Sequence, residues 1–365
     1  FGLVFAIIIY LSIGAFYGIP RASNVAYELG FKQVFNMDGG LALALFSLAF
    51  FGITYFLSLN PKKIVDRIGQ YLTPLLLLVL ATLVIRAFLT FENASSPAAG
   101  KFASAPLASG ILEGYFTMDA VAALAFGIVV INALKDKGAS SQKELVQGTL
   151  GAALIAGMGL AVVYFSLGWI GRVIPNGSGF ENGAEILTAA ASLLFAGGGG
   201  LLFGLIVILA CLTTAIGLIN ACSRFFNEIY PRITYTAYVA IFSIIGLLVS
   251  NLGLNSILEL AVPLLVFIYP IAIVLISLSL FEHVGGKSRM MYRFSVVVTS
   301  VYAFHQVLDS LGYQLDSLGK WLDWAPFFAQ GLGWVLPAFL AALIGYGIDK
   351  FRGRPGDEMK GHSSL

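Results

Sequence analysis

The sequence has 365 residues, of which 58% are hydrophobic and only 11% are charged, and its mean hydropathy is +0.89. A soluble domain carries about 25% charged residues, so this composition excludes a large soluble protein and indicates a polytopic membrane protein. The net charge of +2 identifies no partner, and the absence of a basic patch interleaved with aromatic residues argues against nucleic-acid binding.

A membrane-spanning helix needs roughly 17 to 25 mainly apolar residues. By that rule the sequence predicts an all-α fold with ten spans. They are about 1–20, 41–59, 70–91, 111–134, 148–171, 198–224, 233–250, 262–281, 290–306 and 329–349. Phe1 lies inside an apolar run without an initiator Met, a basic flank or a small-residue cleavage site. We therefore expect a span rather than a signal peptide there, and a missing upstream part.

Polar residues end the first predicted span at Pro20 and Arg21, one turn after Tyr17. Tyr17 and Arg21 are candidates for a gate that contacts substrate. The alternative is that Arg21 snorkels to the outer surface, which is also the simple explanation for Arg86 near the outer end of the third span.

The string "GYFTMDA" at 114–120 brings polar groups into the fourth apolar run. Asp119 lies roughly 12 Å below the outer start of that span, where a charge is costly without a partner or water. Gly114 tolerates dihedrals that break a helix, and Thr117 and Asp119 are good N-cap residues for a second half-helix beginning near Ala120.

Backbone N–H and C=O groups freed by such a break bind a carboxylate or an ammonium group. The candidate substrate-binding residues are therefore Gly114, Tyr115, Phe116, Thr117, Met118 and Asp119. The alternative is an unbroken helix in which Asp119 bonds to a neighbouring span.

The sixth predicted span contains the string "ILACLTTAIGLINAC". The hydroxyls of Thr213 and Thr214 and the carbonyl of Ala210 form an arc of neutral oxygens that suits a hard monovalent cation. The alternative is that each threonine only bonds the carbonyl of its own helix. Before this span, "GAEILTAAASLLF" predicts a short re-entrant or lid helix, and "GGGG" at 197–200 predicts a loop and hinge.

Basic residues alternate between the connections along the whole chain. Most of the 21 Lys and Arg lie in 60–69, 135–147, 224–232, 282–293 and the tail from 350. The positive-inside rule places these connections, and the C-terminus, in the cytoplasm.

Two stretches resemble each other: "LNPKKIVDRIGQYLTPLLLLVL" and "SNLGLNSILELAVPLLVFIYPIAIVL". Each has Asn at a span end, a short amphipathic stretch and Pro-Leu-Leu entering the next span. Because the charge pattern places them on opposite faces, five spans apart, they indicate an inverted repeat of five helices, a design common in secondary transporters. A chance match of Asn and Pro at span borders is the alternative, and the repeat predicts two further spans upstream of Phe1.

Four strings carry a resemblance to a known family. They are "YLSIGAFYGIPRASNVAYELG", "GYFTMDAVAALAFGIVVINA", "ACLTTAIGLINAC" and "VSNLGLNSILELAVPLLVFIYP". In this order they resemble the branched-chain amino acid:cation symporter family of BrnQ-like bacterial permeases, from Phe1 to the last span. These are multi-pass inner-membrane proteins of the amino acid, polyamine and organocation superfamily.

The resemblance implies a leucine-transporter-type fold, with this chain supplying its third to twelfth helices. Residues 1–91 are then the remainder of the first repeat, 111–281 the second repeat, 290–349 two additional helices and 350–365 a cytoplasmic tail. The broken sixth helix of the fold corresponds to Gly114–Asp119. The sodium ligands of its eighth helix correspond to Ala210, Thr213 and Thr214, while the first helix, which forms the other half of both sites, is absent from this chain.

The function implied is uptake of leucine, isoleucine and valine with Na⁺ by alternating access in the lipid bilayer, with no other cofactor or metal. The closest alternative is a proton-coupled or exporting amino acid transporter, in which Asp119 carries the proton. An intramembrane enzyme is disfavoured because no paired carboxylates and no histidine near mid-depth form a catalytic set. A channel is disfavoured because the internal repeat of two similar stretches favours alternating access.

Overall fold

The computed structural model describes residues 2–35, 37–59, 64–91, 100–175, 177–180, 182–195, 199–285, 288–313 and 315–352. Within these ranges the chain is helical and contains no strand, which confirms the predicted all-α class. The helices are α1 (Gly2–Leu11), α2 (Gly18–Ala26), α3 (Lys32–Phe35), α4 (Gly40–Ser58), α5 (Ile64–Thr90), α6 (Lys101–Ser104), α7 (Pro106–Phe116), α8 (Asp119–Asp136), α9 (Gln142–Val173), α10 (Gly183–Leu194), α11 (Gly199–Ile229), α12 (Tyr235–Ser250), α13 (Leu254–Gly285), α14 (Arg289–Ser310), α15 (Asp316–Leu322) and α16 (Val335–Phe351).

Six helical segments of the described chain are long and apolar enough to cross a membrane. They are Gly2–Phe31, Gly40–Ser58, Thr73–Thr90, Gln142–Val173, Phe203–Ile229 and Leu254–Glu282. The other four predicted spans also form helices but fall short in length or in hydropathy. The fourth is broken into α7 and α8, α12 and α16 have 16 and 17 residues, and α14 is more polar.

The first predicted span is longer than the sequence pattern indicated. The helical segment does not end at Pro20 and Arg21 but continues to Phe35, through π-helical turns at Ser12–Phe16 and Tyr27–Phe31. Pro20 is tolerated because α2 begins at Gly18, so the proline occupies the first turn, where its missing N–H has no intrahelical partner to lose.

Charged groups gather where this segment ends. Lys32 Nζ lies 2.9 Å from Asp38 Oδ2 and 3.4 Å from Glu28 Oε2. The hydrogen bond from Lys32 is the main cause that lowers the pKa of Asp38, so this ion pair persists at neutral pH.

The two stretches that resemble each other in the sequence are each continuously helical from Ile64 and from Leu254 onward. Pro74 lies inside α5 and Pro263 inside α13, which also contains Pro270. In each stretch the predicted amphipathic segment and the following span are therefore one helix, rather than two elements joined by a link.

The described chain divides into two compact units, the first comprising Phe1–Pro97 with Leu124–Glu259 and the second comprising Ala98–Ala123 with Leu260–Leu365. In the first unit α11 packs against α2, α4, α5 and α12. Glycines allow the close approach, since a Cβ on Gly30 would lie 2.8 Å from the Gly204 carbonyl oxygen. The fully buried side chains of Leu83, Ile170 and Phe203 fill the interior where α5, α9, α10 and α11 meet.

In the second unit α14 and α16 pack along each other. A Cβ on Gly345 would lie 2.5 Å from the Met290 carbonyl oxygen, so only glycine permits this approach. The Asp349 carboxylate accepts hydrogen bonds from the Ser288 hydroxyl at 2.8 Å and the Met290 N–H at 2.9 Å. A carboxylate on one helix therefore caps the N-terminus of the other.

Candidate functional site

The fourth predicted span is broken at the place that the sequence indicated. α7 ends at Phe116 and α8 begins at Asp119, and between them Met118 has a φ of 67°. A left-handed conformation is unfavourable for residues other than glycine and cannot continue a right-handed helix. Met118 is nevertheless buried, so packing of its side chain helps to hold the break.

Local hydrogen bonds close the end of α7. The Thr117 hydroxyl donates to the Gly114 carbonyl at 2.7 Å, and the Thr117 N–H donates to the same oxygen at 3.3 Å. The Met118 N–H donates to the Tyr115 carbonyl, and the Met118 carbonyl accepts the Ala122 N–H at 2.8 Å.

Met118 therefore occupies the N-cap position of α8, whereas the sequence pattern assigned that role to Thr117 and Asp119. The predicted cap is wrong because the Thr117 hydroxyl donates to the Gly114 carbonyl of α7 and Asp119 already lies inside α8.

Asp119 is the first residue of α8 and is half-buried. The N–H groups in the first turn of a helix have no intrahelical acceptor and carry partial positive charge. A carboxylate at this position is electrostatically favourable, and the same helix start is suited to bind an anionic group of a ligand.

The other predicted substrate-binding residues differ in exposure. Gly114 is exposed, while Tyr115 is buried and its ring stacks on that of Tyr269, with centroids 4.8 Å apart and planes 15° apart. Phe116 is the last residue of α7, and its side chain lies outside the described part of the structure. Tyr269, on α13, was missed by sequence reasoning because nothing in its apolar surroundings distinguishes it from a residue that faces lipid.

The three residues of the predicted cation arc meet on one turn of α11. The hydroxyls of Thr213 and Thr214 both donate to the Ala210 carbonyl, at 2.8 and 2.9 Å. The hydrogens of both hydroxyls are thus directed to one oxygen, while the hydroxyl oxygens keep lone pairs for a cation. Thr213 is half-buried and Thr214 is exposed.

Tyr17 and Arg21, the predicted gate, directly follow a second break that was not predicted from the sequence. Gly14 has dihedrals of −81° and −108° inside the first helical segment, and Tyr17 is the N-cap of α2. The Tyr17 carbonyl accepts the Arg21 N–H at 2.9 Å, and the Arg21 guanidinium carbon lies 5.2 Å from the Tyr17 ring centroid. That distance is within the range of a cation–π contact.

Close contacts with α11 hold this second break. A Cβ on Gly14 would lie 2.5 Å from Cys222 Sγ, and a Cβ on Gly18 would overlap the Ile13 carbonyl oxygen. The Cys222 thiol donates to the Tyr10 carbonyl at 3.3 Å, one turn before the break. The signal in the sequence was the run Gly14, Gly18 and Pro20, which we interpreted as the end of a span instead of an interruption within one.

The first helical segment and α11 run antiparallel, and the contacts between them fix the position of Arg21 along α11. Gly14 lies against Cys222, Gly18 against Leu218 and Gly30 against Ile208. Arg21 therefore lies along the part of α11 that carries Thr213 and Thr214. The structure thus places the predicted gate and the predicted cation arc at a similar level of the first unit, and it places Tyr115, Met118 and Asp119 in the second unit.

Comparison with known proteins bears on the whole chain. Residues 1–352 match the family model described as branched-chain amino acid transport protein. The branched-chain amino acid permease BraB of Bacillus subtilis is 37% identical over 356 residues, which cover 97% of this chain and 80% of the relative.

Two further relatives carry similar names. The branched-chain amino acid permease BrnQ of Corynebacterium glutamicum is 40% identical over 349 residues, which cover 96% of this chain and 78% of the relative. The branched-chain amino acid transport system 2 carrier protein of Pseudomonas aeruginosa is 38% identical over 359 residues, with 97% and 80% covered. Together with the all-helical, membrane-length architecture, these matches show that the chain belongs to the branched-chain amino acid transport protein family.

Proposed function

We propose that this protein is a secondary active transporter that takes up leucine, isoleucine and valine together with Na⁺. Family membership and the names of the relatives, which are permeases and carriers for branched-chain amino acids, support the substrate class. Such transport needs no covalent chemistry, so we assign no catalytic residues and no cofactor other than the coupling ion.

The observation that carries this proposal is the break between Phe116 and Asp119. A helix in lipid must satisfy its backbone hydrogen bonds internally, so irregular backbone at membrane depth is tolerated only where protein or a water-filled cavity surrounds it. A break is therefore costly unless it has a use. Broken helices that hold the polar ends of a substrate are a recurrent design of secondary transporters.

In the proposed site, residues 114–119 bind the ammonium and carboxylate groups of the amino acid, and apolar side chains receive its branched side chain. The N–H groups at the positive end of α8 suit the carboxylate. The carboxylate of Asp119 suits the ammonium group, since opposite charges attract strongly where water is excluded.

Sodium is assigned to the oxygens of Ala210, Thr213 and Thr214. Support comes from the three oxygens lying on one turn of α11, where the two hydroxyl oxygens keep lone pairs while the Ala210 carbonyl already accepts both hydroxyl hydrogens. Oxygen ligands without a net charge are compatible with a monovalent cation that must be released again. The guanidinium of Arg21 at a similar level of the same unit opposes cation binding, and this favours a site of modest affinity.

Alternating access is proposed for the conformational cycle. The continuous helices α5 and α13, each with a proline after its amphipathic beginning, support the inverted repeat on which such a cycle depends. Sodium couples to transport by binding one of the two access states more tightly than the other. The charge pattern of the connections supports a cytoplasmic C-terminus in a bacterial inner membrane.

The test is uptake of radiolabelled leucine into liposomes that contain the purified protein. We expect uptake with an inward sodium gradient, and we expect it to fall to background when choline replaces sodium at fixed pH. Unlabelled isoleucine and valine should compete with the label.

Undiminished leucine uptake in choline would refute sodium coupling, and its dependence on a pH gradient would then identify proton coupling. No uptake of any branched-chain amino acid under either gradient would contradict the proposed substrate class.

A further inference from the structure

Two polar side chains beside the break in the second unit are buried without hydrogen-bond partners. The side chains of Tyr115 and Trp334 are each 5% exposed. Neither the Tyr115 hydroxyl nor the Trp334 Nε1 atom has a hydrogen-bond partner among the residues that the structure describes. A buried polar atom without a partner loses its bond to water and gains nothing in return, so such atoms are rare unless a ligand or water completes them.

These two groups are neighbours. Leu112 and Tyr115 lie one turn apart on α7, and Gly331 and Trp334 lie three residues apart where α16 begins. A Cβ on Gly331 would lie 3.2 Å from Leu112 Cδ1, and the Trp334 indole lies near the Tyr115 hydroxyl without the distance and angle of a hydrogen bond. The start of α16 therefore runs along the last turn of α7.

Neither side chain is free to turn away from this place. The Tyr115 ring is held by its stack on Tyr269. Trp334 is the residue on which α16 begins, since its carbonyl accepts the Ala338 N–H at 2.9 Å. The Gln306 side chain on α14 donates to the Gly331 carbonyl and fixes the preceding turn. Packing thus holds an O–H and an N–H donor beside each other in a water-excluded place.

The chemistry of this pair selects its ligand. Indole N–H is only a donor, and the phenol donates to any acceptor stronger than itself. Two adjacent donors match one oxygen with two lone pairs, and hydrogen bonds to an ionised oxygen are roughly twice as strong as those between neutral groups. Tyr115 is also two residues from the break, whose second half-helix presents its positive end.

We propose that the Tyr115 hydroxyl and the Trp334 indole N–H together bind the carboxylate of the transported amino acid. Trp334 is thereby a substrate-binding residue supplied by the C-terminal helices, a region to which the sequence assigned no binding role. This inference rests on the proposed function, because it requires an amino acid as the substrate.

The experiment compares leucine with 3-methylbutylamine, which is leucine without its carboxylate, as competitors of radiolabelled leucine uptake in proteoliposomes. Tyr115→Phe and Trp334→Phe each remove one donor and keep an aromatic ring. Tyr313→Phe and Trp324→Phe are matched controls, since these side chains are 66% and 59% exposed. We expect each donor variant to weaken competition by leucine by about tenfold and to leave competition by the amine unchanged.

Equal weakening of both competitors would overturn the proposal, because it would mean that the pair only holds α7 in place. Unchanged competition by leucine would overturn it as well. If wild-type protein takes up no leucine, the proposed function fails first, and that result is distinct from either outcome.

A second measurement avoids variants of the pair. The chain contains four tryptophans, so replacing Trp169, Trp321 and Trp324 by Phe leaves Trp334 as the sole indole. A carboxylate at its N–H should change the Trp334 emission saturably on addition of leucine and not on addition of 3-methylbutylamine. If the Trp334 emission does not change on addition of leucine, in protein that still transports leucine, the proposal is overturned.

Discussion

Asp119 and Thr214 show how far one residue can be interpreted from its type alone. A carboxylate in an apolar run predicts a function because its burial is costly, and the structure places this one at the start of a half-helix. A threonine in a membrane helix predicts much less, because its hydroxyl hydrogen is already satisfied by a bond to the carbonyl of its own helix. The structure shows that bond for both Thr213 and Thr214.

Replacing Asp119 by Asn tests the role of the charge at the start of α8. We expect leucine uptake to fall roughly tenfold while the amount of protein in the membrane is unchanged, because an amide keeps the shape but loses the attraction to the ammonium group and to the helix terminus. Asp136→Asn, at the exposed far end of the same helix, is the control. Wild-type leucine affinity in the Asp119 variant would place the substrate site elsewhere.

Replacing Thr214 by Ala tests the cation arc. We expect the sodium concentration for half-maximal uptake to rise by at least about tenfold, since even outer partners of metal ligands contribute that much to affinity. Thr82→Ala is a closely matched control, because Thr82 is also exposed and also donates to the carbonyl four residues before it, at 2.7 Å. An equal, small effect of both substitutions would show that Thr214 serves only its own helix.

At the scale of elements, one of the two helix breaks could be predicted from the sequence and the other could not. The break at Thr117–Met118 coincides with polar residues in an apolar run, so the sequence predicts it. The break at Gly14–Tyr17 is made by contacts with α11, and its own residues are mostly apolar or small. Its geometry therefore depends partly on Cys222 and Leu218 of another helix.

Gly18→Ala tests whether that second break is required. A Cβ at this position overlaps the Ile13 carbonyl oxygen, so we expect a loss of stability of about 1–3 kcal/mol and a lower melting temperature in detergent. Gly217→Ala on α11 is the control, because nothing lies within 4 Å of its added Cβ and the change should remain within about 1 kcal/mol of neutral. Equal melting temperatures for the two variants would contradict the tight turn at Gly18.

At the scale of the whole molecule, the amino-acid composition indicated the class of protein. The scarcity of charge predicted a polytopic helical membrane protein, and the helices and the family match confirm that class. The resemblance to branched-chain amino acid permeases is confirmed across the chain. The inverted repeat and its boundaries remain predictions, although α5 and α13 form similar helices from the two echoing stretches.

The lengths of the elements were predicted less well than their number and type. Hydropathy located the apolar runs but misplaced the end of the first span at Pro20, because a proline ends a helix only when its position lies beyond the first turn. The predicted cap of α8 was wrong for a related reason. Capping rules describe which residue types suit a helix start, whereas the left-handed conformation of Met118 decided which residue takes the position.

The sequence by itself determined the class of protein, the family and the break at 114–119, because each depends on residue type and local order along the chain. Only the tertiary structure decided the second break, the position of Arg21 along α11 beside the predicted cation arc, the stacking of Tyr115 on Tyr269 and the placement of Trp334 near Tyr115. These features depend on which side chains meet across helices far apart in sequence. In a chain where most residues are apolar, hydropathy does not distinguish a side chain that faces lipid from one that faces another helix.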